Sequence, residues 1–396
     1  MRFVKLGAGL IGLLVIAMAL AWATSRDPKF NPASFEDEPL VEAVAPLEEA
    51  RTLAQFIGED GDVRTLLVTG FEGDTVMGID LREFGSNGDS NPFAAFASTS
   101  SIPSSLDQVS EFTSTELTFD RLLPSGSSGN RHIGSGTNFP EHADEANSES
   151  VFGFPKFGSA TPARTTVRRP EGVLLDYEVE LCARFDRDIA SLADFDAATK
   201  GVFLCGDFTN RNAIVELVDP DNLDSGSGFS DAKSGPDFFP TGPFLVIPSD
   251  VDAFVADLRM TTSLNGEPRQ DARGGEMTLN FRQLVEKSLA DVSERRFLYK
   301  DGRELLAEGG TISADMSLMS GTAEGVIFTA PTRGDYVEAI VAYLAEGGPL
   351  SGSGLIDIAK ATFIENELAS GHFLQPGDEV RYGSSYLGNI KVDVTD

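Results

Sequence analysis

The stretch at residues 176–185, DYEVELCARF, sets Asp176, Glu178 and Glu180 at every second position, against Tyr177, Val179 and Leu181. A period of two belongs to a β-strand and lines the three carboxylates along one face. Such a row is either the solvated face of an acidic protein or a set of hard oxygen ligands, and the stretch alone leaves both open. A second acid follows in GVFLCGDFTNRN at 201–212, where the apolar run VFLC reads as a buried strand that delivers Asp207 at its end. If Glu178, Glu180 and Asp207 converge, they form a three-carboxylate site suited to Mg²⁺ or Mn²⁺, with Ca²⁺ as a further option. Pairing the two strands antiparallel with Glu180 opposite Asp207 brings Cys182 opposite Cys205 on the same face. One register thus serves the metal and a disulfide.

Those two cysteines are the only ones among 396 residues, and they form no CxxC, so a thiolate zinc site is excluded by count. The chain is 41% hydrophobic and 23% charged, a globular composition with length for one large or two medium domains. Its net charge of -31 argues against nucleic acid or an anionic membrane surface as a partner. At the N-terminus Arg2 and Lys5 precede an uncharged run at 6–25, with Ala21, Trp22 and Ala23 in a small-x-small pattern. This is the layout of a signal peptide cleaved after Ala23, or of an uncleaved membrane anchor. Either way the acidic body is exported, to the periplasm or the periplasmic side of the inner membrane.

Three regions follow: residues 1–25 as signal or anchor, 26–125 as a linker and small N-terminal α/β domain, and 126–396 as a large C-terminal domain. In the second, LEEARTLAQFI (47–57) predicts a helix, and VRTLLVTGFEGDTVMGIDL (63–81) two strands joined at FEGD. In the third, short strands with Gly and Pro punctuation alternate with two helical patterns, LNFRQLVEKSLADVSERR (279–296) and DYVEAIVAYLAEG (335–347). The class is α+β, with a rolled or barrel-like sheet.

Phosphate loops, HExxH and GxSxG elbows are absent. Of three histidines, His142 stands out: in TNFPEHADEA (137–146), Pro140 suits a helical first turn and His142 then shares a face with Glu145. A carboxylate beside an imidazole orients it and raises its basicity, as a water-activating base requires. The same pair is also common on plain helix surfaces. His132 and His372 lack such a partner and read as structural or surface groups.

Taken together, residues 117–396 resemble the fumarylacetoacetate hydrolase family. GSGTNFPEHADE (134–145) is similar to its Asn-Tyr-x-x-His-x-x-Glu segment, LLDYEVELCARF (174–185) to its Asp-Tyr-Glu-x-Glu-Leu strand, and CGDFTNRN (205–212) to its Asn-Asp-x-Ser/Thr-x-Arg-Asp motif. AKSGPDFFPTGPFLV (232–246), SLNGEPRQ (263–270), SGTAEGV (320–326) and FLQPGDEVRYGSSYLGNIKVDV (373–394) follow in the family's order. The resemblance implies a mixed β-roll catalytic domain, usually a homodimer, acting on 2-oxo or 1,3-diketo acids with a divalent metal. It implies metal ligation by Glu178, Glu180 and Asp207. His142 and Glu145 would be a water-activating dyad on a mobile lid, and Lys233 a substrate-orienting cation. Thr322, Arg211 and Gly321 fall at substrate-binding positions, and the Gly-rich run at 126–136 is the expected lid.

Departures cluster around the substrate rather than the metal. Gly206 replaces an Asn, Arg211, Asn212, Ala213 and Ile214 stand for Arg-Asp-x-Gln, and Ser320, Gly321, Thr322 and Ala323 stand for Thr-Gly-Thr-Pro. The stretch at 325–373 exceeds the family's compact turn and reads as an interface or an acidic surface addition rather than a pocket cap. The reading that follows is an exported metal-dependent hydrolase cleaving a C–C bond of an acylpyruvate-like or β-diketo acid. Decarboxylation, hydration or isomerisation on the same metal, and a non-catalytic binding protein of the same fold, are the competing expectations.

Overall fold

The structure, a computed structural model, describes residues 2–25, 30–109, 111–146, 148, 150–350 and 352–396, leaving out the side chains of 2–11, 14, 106 and 107. In chain order the strands are β1 Ala50–Ile57, β2 Val63–Glu72, β3 Thr75–Asp80, β4 Thr115–Thr118, β5 Arg131–Gly136, β6 Phe152–Phe157 and β7 Arg164–Arg168. Then come β8 Leu175–Asp176, β9 Val179–Phe185, β10 Lys200–Gly206, β11 Thr209–Asn210, β12 Leu245–Pro248, β13 Arg259–Leu264 and β14 Glu267–Arg273. The last are β15 Phe297–Tyr299, β16 Gly302–Glu304, β17 Leu318–Met319, β18 Glu379–Ser384 and β19 Asn389–Thr395. The helices are α1 Arg2–Ala23, α2 Pro92–Ala97, α3 Leu106–Val109, α4 Pro140–Glu145, α5 Leu192–Ala197 and α6 Arg211–Leu217. They continue with α7 Phe229–Lys233, α8 Val251–Asp257, α9 Phe281–Asp291, α10 Arg333–Ala345 and α11 Leu355–Ser370.

The architecture is mixed α/β. A ten-stranded sheet runs in the order β4-β3-β2-β1-β12-β10-β9-β17-β5-β6, and a five-stranded sheet runs β14-β13-β18-β19-β7. Neither closes into a barrel: β4 and β6 remain as edges of the large sheet, because β1 pairs with β12 and carries β2, β3 and β4 outward. The sheets do not close on themselves, so the rolled or barrel-like form expected from the sequence is not confirmed.

Strands β9 and β10 lie near the middle of the large sheet, and every residue of β9 is buried. Its period of two divides two apolar clusters. Val179, Leu181, Ala183 and Phe185 face the larger core, whereas Cys182 packs with Phe203, Cys205, Phe239 and Met319 on the other side. The acids therefore share the face of Cys182, not a solvated one. Cys182 and Cys205 form a disulfide with Cα atoms 6.0 Å apart. The register is two residues away from the expected one: Cys205 opposes Glu180 and Phe203 opposes Cys182. A slip of two keeps every side chain on its face, so the disulfide spans a diagonal and the acids still meet.

Other expectations change. Residues 47–57 contain good helix formers but enter β1, because its backbone groups are used by ladders on both sides, with β2 and β12. Of the Gly-rich run expected as a lid, residues 131–136 form the largely buried strand β5, between β6 and β17. Its glycines serve packing: a Cβ on Gly134 or Gly136 would sit 2.4 and 2.1 Å from the rings of Phe154 and Phe152. The helices at 279–296 and 335–347 form as α9 and α10, α9 with a capping box from Asn280 and Gln283. Helix α11 is an addition, packed against α10 and α6. Helix α1 abuts α10, with the Trp22 indole donating to Glu338 at 2.7 Å. Among the described residues no helix is long and apolar enough to cross a membrane.

Two stability predictions follow from these contacts. The disulfide closes a loop with a sequence separation of 23, so replacing both cysteines by Ala lowers stability by about 3 kcal/mol, read as a lower urea midpoint. Fully buried His132 donates from Nε2 to the Gly158 carbonyl and accepts the Ser317 N–H at Nδ1. Burial, with the Lys156 charge nearby, lowers its pKa to about 4, against the opposing pull of the Gly158 carbonyl. A histidine depressed in this way supports the fold above its unfolded value near 6.5 and loses that support as pH falls through about 4. Between pH 7 and 4 the wild type therefore loses about 3 kcal/mol more than His132→Gln, measured by urea unfolding at each pH.

Candidate metal centre and active site

Four acids gather where β9 begins and β10 ends: Asp176, Glu178, Glu180 and Asp207, all buried. The peptide N–H of Asp207 donates to the Glu178 carbonyl at 2.9 Å, which holds the two ligand segments together. Carboxylate oxygens of Glu178, Glu180 and Asp207 lie within 4.8 Å of one another. Asp176 stands apart as a structural anchor. It accepts the N–H groups of Tyr177, Ile327 and Phe328 and a guanidinium N–H of Arg211.

Three buried cations answer these acids. Lys233 Nζ donates to Glu178 Oε2 at 2.6 Å and to Thr209 Oγ1 at 2.9 Å. Arg211 donates to Asp176 at 2.8 Å and to Glu178 Oε1 at 2.9 Å. Lys156 donates to Asp207 Oδ1 at 2.6 Å and to the Lys233 and Phe238 carbonyls. Arg211 thus lines the cavity with its described bonds already on carboxylates. Lys156 escaped the sequence reading; its signal is a lone cation in the apolar run VFGFPKF, where a buried lysine needs a carboxylate partner.

The electrostatics favour a further cation. Glu180 has one N–H partner, that of Gly321 at 2.8 Å. Gly321 reaches it with φ near +80°, a conformation that other residues rarely adopt. Burial, and then the Asp207 charge, raise the Glu180 pKa well above the carboxylate range. Glu178 goes the other way: burial opposes ionisation, but Lys233, Arg211 and His142 outweigh it and lower its pKa to about 2. Burial pulls the Lys233 ammonium down, yet Asp207 and Glu178 leave it raised, while for Lys156 burial prevails and lowers it. Asp207 Oδ2 is 3.0 Å from Lys233 Nζ but takes no well-directed hydrogen bond. An orphaned carboxylate oxygen, a neighbouring acid that resists ionisation and an all-oxygen donor set fit a hard divalent cation.

Helix α4 begins with Pro140 at its first turn, as its sequence predicts, and turns His142 and Glu145 to one side. His142 Nδ1 and Glu145 Oε2 are 2.8 Å apart, and Glu145 Oε1 accepts the Gly325 N–H at 2.8 Å. Both residues line a cavity of about 290 Å³ together with Glu178, Arg211, Lys233 and Thr322. The Thr322 hydroxyl accepts from Gln270, whose amide also donates to the Ala323 carbonyl. The sequence-derived dyad, Glu178, Lys233, Arg211 and Thr322 therefore meet in one space. Gly321 works from behind it, through Glu180. The stretch after Gly325 also contributes wall, through Val326, Phe328 and Ala330, which corrects the expectation of a purely outward addition.

The family model described as fumarylacetoacetate (FAA) hydrolase C-terminal matches residues 131–395. The chain belongs to the fumarylacetoacetate hydrolase family, whose members are enzymes that typically use a divalent metal. An uncharacterised protein of Staphylococcus epidermidis is 29% identical over 172 residues, 42% of this chain and 54% of that protein. The chain thus spans about half the length of the curated relatives it matches. Among solved structures it is similar in fold to a 2-hydroxyhepta-2,4-diene-1,7-dioate isomerase of Mycobacterium marinum, with TM-score 0.51 and 17% identity over 87% of this chain and 98% of that one. A 5-carboxymethyl-2-hydroxymuconate delta-isomerase of Mycobacterium smegmatis gives TM-score 0.51 and 17% identity, over 87% and 99% of the chains.

The raised Glu180 pKa separates metal binding from stability. An acid whose folded pKa is raised costs stability once pH exceeds its unfolded value. Glu180→Gln removes that cost, so metal-free Glu180→Gln melts at or above wild type, with the larger gain at pH 8 than at pH 5. The same variant binds Mn²⁺ at least about tenfold more weakly by calorimetry, because a ligand charge is gone.

Proposed function

We propose that this protein is a divalent-metal-dependent hydrolase that cleaves a C–C bond in an acylpyruvate-like or β-diketo acid. The observation that carries the reading is the His142–Glu145 pair opening on the same cavity as Glu178 of the acidic triad. Glu178, Glu180 and Asp207 would hold Mg²⁺ or Mn²⁺, which supplies polarisation of adjacent carbonyl or enolate oxygens. The dyad provides the water chemistry. With Nδ1–H donated to Glu145, His142 Nε2 is the nitrogen that accepts a proton from water. The resulting hydroxide adds to the distal carbonyl, the C–C bond breaks, and its electron pair leaves on the oxo-acid fragment as an enolate. His142 then returns the proton to that carbon. Lys233 stabilises the growing negative charge, and Thr322 offers a hydroxyl to the substrate.

Decarboxylation or isomerisation needs less activation of water, so the retained dyad favours hydrolysis. The export reading is supported by the uncharged run at 6–25 and by the buried disulfide, a bond of oxidising compartments. A homodimer is the expected assembly, on the family resemblance.

The test is His142→Ala in the Mn²⁺-loaded protein, assayed on 2,4-dioxo acids. The expected kcat loss is about 10²- to 10⁴-fold, with Mn²⁺ affinity by calorimetry unchanged. Turnover at the wild-type rate would sink the dyad's role and move the reading to decarboxylation or isomerisation.

A further inference from the structure

The cavity that holds the dyad changes character along its length, and three separate elements show the same change. On α6, Arg211 bonds the acids, while Ile214 and, just past the helix end, Val218 line the same cavity. At 1.5 Å per residue Ile214 lies about 4.5 Å further along the helix, and Val218 lies beyond its end. On α7, Lys233 bonds Glu178, and Phe229, one turn earlier on the same face, lines the cavity. In the third element Thr322 is followed by Val326, Phe328 and Ala330, all in the wall.

The apolar part is built firmly. The Phe229 ring lies 4.6 Å from that of Phe152 and 5.6 Å from that of Phe154, centroid to centroid. Phe328 is backed edge-on by Phe363 of α11 at 6.1 Å. The long stretch between β17 and β18 thus braces the cavity wall. The lysine and arginine among the described lining residues, Lys233 and Arg211, both sit at the acid end, held by Asp176, Glu178 and Asp207. No further lysine or arginine lines the apolar part among the described residues. A second carboxylate placed there would lose its hydration with no lysine or arginine in that wall to replace it.

We propose that the substrate is a monoacid with an uncharged, apolar tail, an alkyl or aryl chain that lies along Ile214, Val218, Phe229 and Phe328, and not a dicarboxylate. This rests on the reading that the triad end binds the oxo-acid head. Tail length and tail charge are therefore the specificity determinants, read by the walls of α6, α7 and 326–330. Each methylene that enters an apolar wall contributes about 0.8 kcal/mol, roughly fourfold in affinity.

The experiment uses inert ligands, so it does not depend on which reaction follows. The full chain loaded with Mn²⁺ is titrated calorimetrically with N-alkyl oxamates from methyl to hexyl, and with an N-(carboxypentyl) oxamate. Affinity is expected to rise about fourfold per methylene until the cavity is filled, and to fall at least about 100-fold when the tail ends in carboxylate. In Ile214→Gln and, separately, Val218→Asn, the gain per methylene shrinks below about twofold. Affinities that are flat or falling with length, equal or tighter binding of the carboxylated tail, or unchanged slopes in both variants would overturn the proposal. Failure of the whole series to bind overturns it together with the oxo-acid reading. Tail-dependent binding with no turnover of any 2,4-dioxo acid leaves the tail assignment standing and removes only the hydrolase reading.

Discussion

Everything near the site depends on keeping four carboxylates ionisable inside a protein. Removing a carboxylate from water is expensive, and a buried charge survives only with partners. The fold supplies them from distant parts of the chain: Lys156 from β6, Arg211 from α6, Lys233 from α7 and backbone N–H groups from 321–328. The balance is unequal: among the described residues no lysine or arginine pairs with Glu180, and Asp207 Oδ2, 3.0 Å from Lys233 Nζ, takes no well-directed hydrogen bond. That residual demand for positive charge fits the cluster to a hard divalent cation better than to a closed salt-bridge network.

The same partners give the cluster its shape. Asp176, the first acid of the alternating row, uses both oxygens to pin Arg211 and the 327–328 backbone, so it organises the cavity wall without joining the triad of Glu178, Glu180 and Asp207. Glu145 ties α4 to Gly325, which couples the dyad to that wall. The Cys182–Cys205 disulfide crosses β9 and β10 two residues behind Glu180 and Asp207. A sheet on one side and a braced loop on the other hold the acids and the His142–Glu145 pair between them, the arrangement that preorganised electrostatics requires.

What was legible in the sequence was local. The period of two at 176–185 predicts a strand, which forms as β8 and β9 on either side of a break at 177–178, and Pro140 predicts a helix start that sets His142 beside Glu145, which forms as α4. What was missed is of two kinds. Residues 47–57 satisfy helical propensity, yet hydrogen-bonding on both sides overrides it in β1. Lys156 and α11 carried little signal of their own, because a lysine inside a strand declares its role only when Asp207 is beside it, and α11 is apolar around much of its circumference. The Gly-rich run at 126–136 misled in the other direction, since glycine serves close packing as readily as flexibility.

The sequence by itself determined that Glu178 and Glu180 would share a face, that a histidine and a glutamate would meet on one helical turn, and that the chain would carry a strongly negative surface, because these follow from fixed periods and from counting. Only the tertiary structure decided that the row of acids is buried, which cations neutralise it, the two-residue slip that puts the disulfide on a diagonal, and the apolar walls of the cavity. Those depend on contacts between residues far apart in the chain, and the free energy of a buried charge is set by what surrounds it rather than by its neighbours in sequence.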